Sequence, residues 1–131
     1  MAKYAYPAVF TKEKEGGYSI CFRDLEGCYT CGDSIEEGLE MAEDVLALAL
    51  YGYETNGKKI PEPSLLSEIA LAPNEFVSYV KCDTMEYRKM YNSKAVKKTL
   101  TIPEWLNEEA MAAGINFSQV LQEALIARIS E

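Results

Sequence analysis

Histidine is missing altogether from the 131 residues. With it go the Ser–His and Cys–His nucleophile pairs and every metal site built on imidazole. Positive charge is also scarce: 13 Lys and Arg stand against 21 Asp and Glu, a formal net charge of −8. No apolar run approaches the roughly 20 residues that span a bilayer, so no membrane association is expected. The opening MAKYAYPAVF has one Lys and no small-residue cleavage site after an apolar core, so it does not read as a signal peptide. Cys21, Cys28, Cys31 and Cys82 are too few and too irregular for a disulfide scaffold. Cys28 and Cys31 form a C-x-x-C, but their segment reads as a strand, where residues three apart point to opposite faces. Reduced thiols are expected, with no metal and no cofactor.

What is present is a globular composition, 48% apolar and 26% charged. The length suits one domain or two small modules in a soluble, cytoplasmic chain. Alternation predicts a strand over Tyr4–Thr11, with Tyr4, Tyr6, Ala8 and Phe10 on one face. A hairpin turn at Gly16-Gly17 leads to a second strand, Tyr18–Leu25, and Asp24-Leu25-Glu26-Gly27 turns into a short third, Cys28–Cys31. The period then changes. Ser34 with Glu37 three residues on is a capping-box signature. Ile35, Leu39, Ala42, Leu46, Ala49, Leu50 and Tyr53 recur at helical spacing to about Tyr53. The other side of that helix carries Glu36, Glu37, Glu40, Glu43 and Asp44. A loop through Pro61-Glu62-Pro63 reaches a fourth strand, Phe76–Asp83. The fold class is α+β: a βββαβ domain over residues 1–83, then a linker over 84–95, helical in part, whose tyrosines and methionines read as packing residues.

Residues 96–131 hold a second pattern. Val96–Ile102 alternates as a strand and stops at Pro103, which suits the first turn of a helix to Ala113. Gly114 closes that helix, and Asn116 caps another, with Gln119 at the reciprocal position. This β-α-α piece is below the roughly 40 residues at which a domain usually folds alone, and a lone strand leaves its backbone groups unpaired. Dimerisation solves both problems. Two copies of Val96–Ile102 pair antiparallel, with Val96, Leu100 and Ile102 facing the core and Lys97, Thr99 and Thr101 facing out.

The stretch VKKTLTIPEWLNEEAMAAGINFSQVLQEAL resembles a ribbon-helix-helix DNA-binding domain. The resemblance implies that the ribbon lies in the major groove of operator DNA, with Lys97, Thr99 and Thr101 reading base edges. Asn116 and Ser118, at the start of the second helix, would meet a phosphate, with Lys94 and Lys98 as further backbone contacts. Lys98 departs from the family, which often has an apolar residue there. The tail is only weakly charged overall, so more than one dimer on the operator, or a tetramer, is expected.

The front segment YPAVFTKEKEGGYSICFRDLEGCYTCGDSIEEGLEMAEDVLALAL, with IPEPS after it, resembles the N-terminal domain of HicB-family antitoxins. Its most specific part joins D-L-E-G-C to G-D-S-I-E-E-G-L. The resemblance implies a partial ribonuclease H fold that occludes a small, basic HicA-type ribonuclease toxin, while the complex represses its own promoter. The first strand contains no acid and Asp24 and Asp33 sit at strand ends, so the two-metal chemistry of ribonuclease H is not expected. Residues 1–92 hold nine basic and sixteen acidic side chains, a balance suited to a basic partner. Glu36, Glu37, Glu40, Glu43 and Asp44 are the candidate toxin contacts, with Tyr6 and Phe10 as apolar anchors. Two rivals stand beside this reading. One is a stand-alone transcription factor whose front domain binds a small ligand or only supports oligomers; the other is a nuclease.

Overall fold

The alternating segments of the front half pair into one antiparallel sheet. Strands β1 (Lys3–Lys12), β2 (Tyr18–Cys21), β3 (Tyr29–Gly32) and β4 (Glu75–Asp83) stand in the order β3-β2-β1-β4. The computed structural model describes residues 2–91 and 94–130, and the chain divides into two compact units, 1–94 and 95–131. Strand β2 ends earlier than the expected Leu25. Its continuation turns away, with Phe22 N–H donating to the Cys28 carbonyl (3.0 Å) and Leu25 N–H to Phe22 (3.1 Å).

Register explains how Pro7 sits in a central strand. Lys12 N–H donates to the Asn74 carbonyl at 2.9 Å, so the even-numbered residues of β1 direct their backbone groups toward β4 and the odd-numbered ones toward β2. Val9 opposite Cys21 is the last β1–β2 pair. Pro7 faces a gap beyond it, and its missing N–H removes no ladder bond.

Helix α1 (Ile35–Thr55) lies across one sheet face. Ser34 Oγ accepts the Glu37 N–H at 3.1 Å, and Glu36 and Glu37 complement the positive end of the helix dipole. The core forms between Tyr6, Phe10, Ile20, Phe22 and Val80 of the sheet side and Ala42, Leu46 and Leu50 of the helix. Phe10 also stacks on Phe76, with ring centroids 4.9 Å apart. Ile35 and Leu39, expected in that core, are exposed; the helix instead turns Gly38 toward the sheet. The cause is a close approach. A Cβ on Gly32 would lie 2.6 Å from the Cα and N of Gly38, and a Cβ on Gly38 would lie 3.0 Å from Ile20 Cδ1.

The segment after α1 is tied back at several points. Tyr6 donates its hydroxyl to the Pro61 carbonyl, and Asp24 accepts from the N–H and hydroxyl of Ser64. A 3₁₀ turn, Leu66–Glu68, follows. Arg23 then donates to the Ala70 carbonyl (2.7 Å) and reaches Glu75 (3.4 Å). Arg23 and Glu75 belong to the sheet face opposite α1, where Pro7 and Val9 are buried as well.

Residues 84–91 make up the helical part of the expected linker. They form helix α2 (Thr84–Tyr91), which continues directly from β4. Asp83 accepts the Met85 N–H at 2.9 Å. Thr84 is fully buried: its N–H donates to the Ala2 carbonyl (3.0 Å), and its hydroxyl accepts from the Ala2 N–H (2.9 Å) and donates to Glu54 (3.0 Å). Of the remaining linker positions, Asn92 and Ser93 lie outside the described residues.

In the second unit, α3 (Glu104–Ala112) begins after Pro103 and α4 (Phe117–Ile129) after Asn116. Gly114, at φ 68°, ends α3, with its N–H on Met111 and that of Ile115 on Ala110. Asn116 accepts the Gln119 N–H, but the Gln119 side chain turns forward to Glu123 (3.1 Å) rather than back to the cap. The expected strand Val96–Ile102 has no regular secondary structure in the single chain. A strand exists only with a ladder partner, and none pairs with it among the described residues.

Candidate functional site

On the front unit, the side of α1 away from the sheet carries Glu36, Glu37, Glu40, Glu43 and Asp44, all exposed. Helical geometry dictates this: with Ala42, Leu46 and Leu50 turned to the sheet, these positions project outward. Apolar groups lie among them. Met41 is 41% and Leu48 54% exposed, and α2 adds Met90 at 73% and Tyr91 at 66%. The two helices meet through a row of rings, Tyr51 to Tyr87 at 5.4 Å and Tyr87 to Tyr91 at 4.6 Å. Burial, then the neighbouring Tyr91, raises the Tyr87 phenol, which therefore stays protonated at neutral pH. Beside this row is a cleft of about 260 Å³ edged by the carboxylates of Glu43, Asp44, Asp83 and Glu86. Apolar groups rimmed by carboxylates match a protein surface that is basic at its margin.

Tyr6 and Phe10 are corrected as anchors: they are 1% and 0% exposed and belong to the core. Alternation shows that they share a face but not what covers it, and α1 covers it. Sequence reasoning missed Met41, Leu48, Met90, Tyr91, Asp83 and Glu86 as members of this surface. The signal was there for α2, because Tyr87, Met90 and Tyr91 have the i, i+3, i+4 spacing of one helical face.

Asp24 directs both carboxylate oxygens to Ser64. Among the described residues no group of three or more His, Cys, Asp or Glu side chains converges to hold a metal. Cys28 and Cys82 are buried, and burial pushes their thiols up to about 11 and about 12. No described helix is long and apolar enough to cross a membrane.

In the second unit, not one described residue from 95 to 130 is buried. Val96 is 77% exposed, Leu100 62%, Trp105 66% and Ile129 77%. Lys94, Lys97, Lys98, Thr99 and Thr101 are exposed on the irregular stretch before α3. Asn116 and Ser118 are exposed at the start of α4, where the first amides have no acceptor within the helix. So much uncovered apolar side chain marks an incomplete core.

A sequence-family model described as a HicB-like antitoxin of bacterial toxin–antitoxin systems matches residues 6–129. A 58-residue stretch is 43% identical to Antitoxin HicB 1 of Photorhabdus laumondii subsp. laumondii, covering 44% of this chain and 37% of that protein. A 62-residue stretch is 37% identical to Antitoxin HicB of Escherichia coli (strain K12), covering 47% and 45%. The matched stretch thus spans less than half the length of these relatives. Among solved structures, a chain of a toxin–antitoxin complex from Streptococcus pneumoniae is similar over 96% of this chain and 99% of that one. Its TM-score is 0.63, with 28% identity.

Proposed function

The chain belongs to the family of HicB-like antitoxins of bacterial toxin–antitoxin systems, and from that premise we propose that it is a non-enzymatic, cytoplasmic antitoxin and autorepressor. Its front unit is a partial ribonuclease H-like fold that binds and neutralises a HicA-type, mRNA-cleaving toxin. Its tail, from residue 96 onward, is a ribbon-helix-helix module that dimerises and binds operator DNA.

The toxin surface is the outward face of α1 and α2. Glu36, Glu37, Glu40, Glu43 and Asp44 steer a basic partner, and Met41, Leu48, Met90 and Tyr91 supply the apolar burial that slows dissociation. Charge chiefly raises the association rate there, and that part weakens with salt.

The repressor half rests on the unburied tail: twelve large apolar side chains from Val96 to Ile129 are exposed in a single chain. Pairing two copies of Val96–Ile102 orders the ribbon, buries Leu100 and Ile102, and turns Lys97, Thr99 and Thr101 to the major groove. Asn116 and Ser118 place the α4 N-terminus at a phosphate, with Lys94 and Lys98 as further DNA-backbone contacts. Co-expression with the product of the neighbouring gene tests the whole. Rescued growth and a co-purifying complex are expected. A chain that neither rescues growth nor binds that product, yet still binds its promoter, is instead a stand-alone regulator.

A further inference from the structure

At the end of β4 a single residue converts the chain from strand to helix. The β1–β4 ladder runs as far as Lys3 opposite Asp83, so the next pair is Ala2 with Thr84. Half of that pair is ordinary, with the Thr84 N–H donating to the Ala2 carbonyl at 3.0 Å. In a regular ladder the Ala2 N–H would go to the Thr84 carbonyl. Helix α2 starts at Thr84, however, and turns that carbonyl along its own axis. The Thr84 hydroxyl takes the Ala2 N–H in its place, at 2.9 Å.

The same hydroxyl reaches a second element. It donates to Glu54 Oε2 at 3.0 Å, and the Tyr4 hydroxyl donates to that oxygen at 2.7 Å. Burial, then the Glu54 hydrogen bond, raises the Tyr4 phenol to about 12, so it stays a donor at neutral pH. Glu54 lies in the last turn of α1. One fully buried side chain thus ties the start of α2 to β1 and to α1. Helix α2 has only eight residues, too few to persist without such support. A helix turns about 100° per residue. A start displaced by one residue would therefore carry Tyr87, Met90 and Tyr91 away from the Tyr51 ring.

We propose that Thr84 is a positioning residue for the partner-binding face: its hydroxyl fixes where α2 begins and seats it on α1, which presents Met90 and Tyr91 to the toxin. This rests on the α1–α2 face being the toxin surface. Buried as it is, Thr84 touches no partner and acts through α2. The apolar burial on the face depends on it, and the charge steering by the carboxylates of α1 does not.

The test uses the full chain and the product of the neighbouring gene, with association and dissociation rates followed by surface plasmon resonance at low and high salt. Thr84→Val keeps the branched shape but takes an acceptor from Ala2 and a donor from Glu54. Dissociation about tenfold faster is expected, with the association rate and its salt dependence unchanged. In the free chain the Arg88–Tyr91 amides should exchange faster with solvent. Thr84→Ser returns the hydroxyl and should reverse both effects. Ile20→Val trims the core near Gly38, at the far end of α1, and should lower stability while leaving both readouts alone. Should the valine variant fail to fold, Tyr4→Phe removes only a hydroxyl from Glu54 and gives the same changes at smaller size. Unchanged dissociation in the variant that folds, no recovery with serine, or equal acceleration by Ile20→Val overturns the proposal. An unmodified chain that does not bind the product fails the toxin reading instead. Exchange of the Arg88–Tyr91 amides then decides by itself whether Thr84 seats α2.

Discussion

Glu75 joins three parts of the front unit through one carboxylate. It accepts the Ala72 N–H (2.8 Å) and the Thr11 hydroxyl (3.1 Å), and it meets Arg23 at 3.4 Å. The Ala72 hydrogen bond is the main reason its pKa is lowered, with Thr11 and Arg23 adding to it. A carboxylate lowered in the fold contributes in full above its unfolded pKa of about 4.3, and that contribution is lost as pH falls through the lowered value. Acidification below about pH 4 should therefore free the segment before β4, read as faster exchange of the Ala72 amide. The buried thiols behave in the opposite sense. Cys28 and Cys82 are raised to about 11 and about 12. Their contribution is complete below about pH 8.5 and drains away as pH climbs through the folded values. Alkylation at pH 8 should label the exposed Cys31 first and reach Cys28 and Cys82 only on unfolding. Phe10→Ala should cost about 3–5 kcal/mol of stability in a denaturant titration, as a core truncation does. Were Phe10 a surface anchor, that titration would hardly move.

At the scale of elements, two glycines decide how α1 sits. Gly32 ends β3 and Gly38 lies in the first turns of α1; a Cβ on Gly32 would run into the Gly38 backbone, and one on Gly38 would press on the side chains of Ile20 and Phe10. Gly32→Ala should lower stability by at least about 1–3 kcal/mol through overpacking, measured by denaturant midpoint. The G-D-S-I-E-E-G spacing was legible in the sequence, but that its two glycines touch was not, because contact across a turn needs the sheet in place. Helix α2 was legible in its spacing, but that its apolar face packs on Tyr51 of α1 was not, for the same reason. On the proposed DNA-binding role of the tail, Lys97→Ala or Thr99→Ala should each cost about 1–3 kcal/mol at the cognate operator, read by DNA titration at fixed salt. Equal losses on random DNA would indicate phosphate contact instead. Leu100→Asp should abolish operator binding by placing an unpaired charge in the ribbon core.

For the whole molecule, the two units differ in what one chain can complete. The front unit closes a core of its own, with Tyr6, Phe10, Phe22, Leu46 and Leu50 all essentially inaccessible. The tail closes none, and on the proposed pairing its stability depends on a second copy and hence on protein concentration. Dilution should melt α3 and α4 before the front unit, giving two separate transitions by circular dichroism. What the sequence determined alone was local: strand alternation, the Ser34 and Asn116 caps, the Gly114 stop, the acidic outer face of α1, and the shortage of core in the last thirty-six residues. These follow from periodicity and backbone preference, which act over a few residues. Tertiary structure alone decided that Tyr6 and Phe10 are buried and that Gly38 rather than Ile35 meets the sheet. Those outcomes depend on which surfaces, far apart in the chain, come to cover one another, and burial is a property of the pair rather than of either segment.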